Sequence, residues 1–205
     1  MRAGKASFPH WVAALFLALT LAASVATPAL AGVPPSTAAR MHYTVPAVQL
    51  VRDDGKVVSL PEEIDDGRPV VLNFIFTTCS SICPLTSQVF AQFQQRLGAD
   101  SEQVHLMSIS VDPEEDTPAR LREYAHKFHA GPGWHHYTGT MEASLAAQRA
   151  FNVWRGDKMS HTPVTFVRFA PGNPWLRIDG FVTADELLQR YQQLRMTPEQ
   201  AVAVR

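Results

Sequence analysis

The spacing of apolar and polar positions divides the chain into alternating strand-like and helix-like stretches. Pro69-Val-Val-Leu-Asn-Phe-Ile-Phe76 is a nearly unbroken apolar run. It predicts a strand buried on both faces, at the centre of a sheet with helices on either side. Behind it, Leu85, Val89, Phe90 and Phe93 recur at helical spacing, and Pro84 suits a first helical turn, where its missing N–H costs nothing. Gln103 to Val111 predicts a second central strand, ended by Asp112-Pro113. Thr117 as N-cap and Pro118 at the first helical position predict a helix to about Phe128. Gly131-Pro-Gly133 marks a turn, Trp134 to Tyr137 a short strand, and Glu142 to Phe151 a helix. Pro163 to Phe169 and Trp175 to Phe181 read as two strands joined by a turn at Pro171-Gly-Asn-Pro174, and Asp185 to Leu194 as the last helix.

Upstream, two short apolar runs flank Asp53-Asp54-Gly55, so Val45 to Leu60 predicts a β-hairpin. The order is therefore hairpin, then β and α elements in alternation, then an antiparallel strand pair and a helix. That is an α/β fold with a mixed sheet, and residues 45–197 form its one domain. Residues 32–44 contain Pro and Ser without periodicity and read as a linker; residues 198–205 read as a tail.

Residues 1–31 follow a different rule. Arg2 and Lys5 precede the apolar stretch Trp11 to Ala23, and Ala29-Leu30-Ala31 ends it with small residues. A cleaved export signal has that layout, and the apolar core is short against the about 20 residues of a membrane span. The expected location is outside the cytoplasm, in the periplasm, with an uncleaved N-terminal anchor as the alternative. Removing residues 1–31 leaves 174 residues of formal charge −3. That mild acidity argues against a nucleic-acid partner.

Cys79 and Cys83 are the only cysteines, and they sit where the central strand gives way to its helix. Unpaired N–H groups at a helix start favour a thiolate. Two such sulfurs can close a disulfide, which an oxidising compartment permits, or they can hold a soft metal ion. A disulfide closing so small a loop would stabilise little, so a working pair is the better reading than a structural one.

Phe76-Thr-Thr-Cys79-Ser-Ser-Ile-Cys83-Pro84, Ser108-Ile-Ser-Val-Asp-Pro-Glu-Glu-Asp-Thr-Pro118, and His161 ahead of the penultimate strand together resemble the Sco/SenC family. The resemblance covers about residues 45–195. It implies a thioredoxin-like sheet flanked by helices, and one copper ion, Cu(I) or Cu(II), on Cys79, Cys83 and His161. It also implies a metallochaperone whose partner is a cytochrome c oxidase subunit or another copper or thiol protein. The alternative is a thiol–disulfide oxidoreductase in which Cys79 attacks and Cys83 resolves. Peroxide reduction at Cys79 ranks last, since no basic residue stands beside it.

The remaining candidates are weaker. Asp112 is expected to orient a ligand, tune a thiol, or simply open the turn before Pro113. Met159 offers a thioether. His126 and His129 share a helix end; His135 and His136, adjacent on a strand, point to opposite faces. Thr162-Pro163 reads either as the cis-proline found beside thioredoxin-like active sites or as an ordinary trans proline opening a strand.

Overall fold

In the computed structural model, residues 36–196 are described; the expected signal (1–31) and the C-terminal tail (198–205) lie outside them. Eight strands form one sheet: β1 (Thr37–Met41), β2 (Gln49–Arg52), β3 (Val57–Ser59), β4 (Val70–Ile75), β5 (His105–Ser110), β6 (Trp134–Gly139), β7 (Val164–Arg168) and β8 (Trp175–Asp179). Five helices accompany them: α1 (Leu60–Ile64), α2 (Ile82–Leu97), α3 (Pro118–Lys127), α4 (Met141–Ala150) and α5 (Ala184–Arg195). Strand order is β1-β8-β7-β4-β5-β6-β2-β3. Pairing is parallel for β4–β5 and β5–β6 and antiparallel elsewhere, so the mixed α/β sheet read from the sequence is the sheet observed.

All six residues of β4 and all six of β5 are buried. That burial follows from helices covering both faces. On one, Phe90 of α2 and Tyr124 of α3 lie against Trp134 and His136 of β6. On the other, Phe151 at the end of α4 meets Phe74, Phe166 and Trp175. Because β4 and β5 run parallel and neighbour each other, their C-terminal ends open at the same edge, and the loops that follow them meet there.

The hairpin at Asp53-Asp54-Gly55 forms, with Val51 paired to Val57 and Gly55 in the left-handed region at φ 90°. Thr117 caps α3 by accepting the Arg120 N–H at 3.3 Å. Two elements differ from expectation. Residues 37–41, inside the stretch read as a linker, form β1, antiparallel to β8 with Thr37 opposite Asp179. All five β1 side chains are exposed, so no alternation marks the strand; its existence is decided by the partner edge. The one-and-a-half-turn helix α1, with Pro61 in its first turn, starts on the last residue of the expected hairpin and runs through residues 61–64, where the spacing predicts no element.

Candidate metal centre

The centre starts where β4 leaves the sheet. Cys79 lies in the loop rather than in the helix, its N–H bonded to the Phe76 carbonyl at 3.2 Å, and Cys83 is the second residue of α2. Ser81, at the N-cap position, makes no capping bond with its side chain. The Cys79 sulfur takes that role, accepting the Cys83 N–H at 3.4 Å. Both cysteines are unpaired thiols; Cys79 is 9% exposed and Cys83 1%.

Their surroundings split the two thiols. Burial works against a Cys79 thiolate, but the N–H groups of Cys83 and Ser81 aimed at its sulfur outweigh burial and hold its pKa below the ordinary 9.0. At Cys83 burial dominates, and the neighbouring Cys79 sulfur and the Asp116 carboxylate add to it, so this thiol is pushed well above 9.0. Of the two thiols, Cys79 is therefore the more readily ionised.

A second segment holds the loop from behind. Asp116, fully buried, accepts the Thr77 N–H at 3.1 Å, the Thr77 hydroxyl at 2.5 Å and the Ser110 hydroxyl at 2.5 Å. Burial pushes its carboxyl up, and these three donors oppose that shift. Asp116 thus fixes Thr77, two residues before Cys79. Sequence reading passed over this residue; the signal was an acidic side chain just ahead of a capped helix, which reads equally as a solvated turn.

His161 follows a short 3-10 turn, Lys158–Ser160, and stands two residues before the Pro163 that leads into β7. Its ring lies against β4, with Nε2 2.9 Å from the Phe74 carbonyl oxygen. A carbonyl only accepts, so Nε2 carries the proton and Nδ1 keeps its lone pair. Burial lowers the His161 pKa, the Phe74 carbonyl works the other way, and Arg155 adds to the lowering, so the ring is neutral near pH 7. Nδ1 makes no hydrogen bond among the described residues. The structure thus brings the two sulfurs together and places His161 at the same sheet edge. Among the described residues, however, no three His, Cys, Asp or Glu side chains converge closely enough to hold a metal ion.

The other candidates separate cleanly. Asp112 is buried and receives Lys158 Nζ at 2.6 Å, so it grips the histidine loop instead of touching a thiol. Met159 is 73% exposed. His126 and His129 are exposed. His136 is buried and His135 half-buried, and the Nδ1 atoms of both face Asp53, at 3.6 and 3.8 Å. No described peptide bond is cis, so Thr162-Pro163 is trans and the cis-proline reading is set aside.

The SCO1/SenC family profile matches residues 37–194. The SCO1 protein homolog of Bacillus subtilis is 33% identical over 106 residues, 51% of this chain and 54% of that protein. Protein SCO1 homolog 1, mitochondrial, of Arabidopsis thaliana is 35% identical over 109 residues, 51% of this chain and 30% of that one. The chain thus spans about half or less of the length of these relatives. Among solved structures, Arabidopsis thaliana ScoI with copper bound superposes with a TM-score of 0.60 at 28% identity, over 72% of this chain and 95% of that one. BsSco, described as a Sco-family cytochrome c oxidase assembly protein with a disulfide switch, gives 0.63 at 26% identity, over 76% and 95%. These likenesses establish the thioredoxin-like arrangement. With its profile match running from β1 to the last turn of α5, the chain belongs to the SCO1/SenC family.

Proposed function

We propose that this protein binds one copper ion through Cys79, Cys83 and His161 outside the cytoplasm and passes it to a partner protein, a copper-receiving subunit of cytochrome c oxidase. The observation that carries this reading is the state of His161. Its Nε2–H is committed to the Phe74 carbonyl at 2.9 Å, which leaves Nδ1 as the ligating atom. Metal-binding histidines ordinarily donate their other N–H to just such an outer partner. Two sulfurs and an imidazole make a donor set suited to copper. The copper held by Arabidopsis ScoI and the assembly role ascribed to BsSco's family support the assignment. The export-signal pattern of residues 1–31 supports the location.

Copper must displace the proton of Cys83, whose pKa stands above 9.0. Affinity therefore falls as pH falls and rises as pH rises. The test is an anaerobic copper titration of the reduced protein against a competing chelator. Cys83→Ser is expected to weaken binding by about 1000-fold or more, and His161→Ala by about 100-fold, since each removes a ligand. If His161→Ala binds copper as tightly as the parent, the ligand assignment is wrong.

A second reading is favoured by the split between the thiols, a lowered Cys79 beside a raised, buried Cys83. That is the pairing of an attacking and a resolving thiol. Cys79 would open a partner disulfide, forming a mixed disulfide and releasing one partner thiolate. Cys83 would then attack Cys79, closing the internal disulfide and releasing the second. Trapping of the mixed disulfide by Cys83→Ser, in protein that binds no copper, would make this the main activity.

A further inference from the structure

Between α4 and His161, the segment is fixed at its root and makes one hydrogen bond to the rest of the molecule beyond it. At the root, Arg177 Nη1 donates to the Phe151 and Asn152 carbonyl oxygens at 2.8 and 3.4 Å. Past the buried Val153, residues 154–157, 159 and 160 are exposed. Arg155 turns back to the carbonyl oxygens of Asn152 and Trp154, and Asp157 accepts the N–H groups of Met159 and Ser160. Lys158 alone reaches out, with Nζ 2.6 Å from Asp112 Oδ2. Among the described residues, every other hydrogen bond of residues 154–160 closes within 152–161.

The far side of that contact is not a surface carboxylate. Asp112 is 4% exposed and stands two residues past the end of β5. Its N–H donates to Ser110 Oγ at 2.9 Å, and Ser110 Oγ donates to Asp116 at 2.5 Å. Asp116 holds Thr77 of the cysteine loop. On the near side, the His161 N–H donates to the Lys158 carbonyl at 3.1 Å, and the His161 ring returns to Phe74 of β4. A closed circuit of hydrogen bonds therefore runs from the cysteine loop through β5 and Lys158 to His161 and back to β4.

We propose that Lys158, anchored on Asp112, is a positioning residue that holds His161 at the cysteine edge. The inference rests on the copper reading above. Without the tether, residues 154–160 have no polar hold on the sheet, and ordering them would be charged against metal binding. Outer supports of metal ligands typically change affinity by about 10- to 100-fold when removed.

The experiment is a double-mutant cycle on copper affinity in the full chain, with backbone hydrogen exchange as a second measurement. Lys158→Met is expected to weaken copper binding by about 10-fold, Asp112→Asn to do the same, and Lys158→Arg to restore most of it. In a His161→Ala background, Lys158→Met should cost nothing further. An undiminished loss there would show that Lys158 acts on the fold at large, and would overturn the proposal. So would full affinity in Lys158→Met. Exchange at residues 158–162 should quicken in Lys158→Met whether or not copper is present, and unchanged exchange overturns the tether. Tight copper binding by His161→Ala would instead sink the ligand assignment, and the exchange result would then judge the tether alone.

Discussion

His105 and His161 are both driven toward the neutral form by burial, yet they stand at opposite ends of the sheet and do different work. His105 opens β5, and its pKa falls to about 4. Both of its ring nitrogens are engaged: Nε2 lies 2.8 Å from Tyr137 Oη, and Nδ1 lies 3.1 Å from the Glu63 carbonyl. Tyr137 Oη also lies 2.8 Å from Glu63 Oε2, which ties β5 and β6 to α1. His161 spends one nitrogen on Phe74 and keeps the other. A buried imidazole with both nitrogens occupied is a cross-brace; one with a spare lone pair at the cysteine edge can accept a metal ion. The same contrast separates Asp116, saturated by Thr77 and Ser110, from the Cys79 sulfur, which receives only long contacts from Cys83 and Ser81.

The contrast can be broken by substitution. His105→Ala should cost on the order of 3 kcal/mol, because it opens a cavity and strips the partners of a buried network. Copper affinity should stay within about two-fold, since the change lies at the far end of the sheet. His161→Ala should do the reverse, shifting the denaturation midpoint little while copper binding collapses. Equal stability losses from the two would erase the distinction. Next in size, Asp116→Ala should cost about 2 kcal/mol by leaving the Thr77 and Ser110 donors unpartnered, and it should loosen the loop that presents Cys79. Smaller again is the difference between the thiols. With its pKa below 9.0, Cys79 ionises at lower pH than an ordinary thiol. Its alkylation rate should rise with pH through a midpoint below 9.0, and exceed that of Cys83 by about 10-fold near neutrality. Peptide mapping after brief alkylation measures this, and preferential labelling of Cys83 would contradict the assignment. Least of all, Arg120→Ala removes an exposed ion pair to Glu115 and should change stability by under about 0.5 kcal/mol.

Legibility in the sequence followed the physics of each feature. The β4 run and the Thr117-Pro118 helix start were readable because burial on two faces and capping both leave local marks. The cysteine pair was readable from its place at a strand-to-helix junction. The partners of those residues were not. Asp116 reaches back 39 residues to Thr77, and Lys158 back 46 to Asp112. Nothing in the spacing of a charged loop residue distinguishes such a contact from solvent. His161 was found through the motif resemblance, while its tautomer became visible only when Phe74 was seen beside it. The trans state of Thr162-Pro163 likewise depends on the assembled edge and not on the dipeptide.

The pairing of Thr37–Met41 with β8 has a practical side. That ribbon adds no interior packing, but it occupies the hydrogen-bonding rim that β8 would otherwise present to solvent. A shortened protein beginning at residue 42 would keep its core and its sulfur chemistry, yet would move the open rim from the wholly exposed β1 to the more buried, more apolar β8. Such rims template intermolecular stacking, so an expression clone trimmed to the hairpin should be prone to self-association.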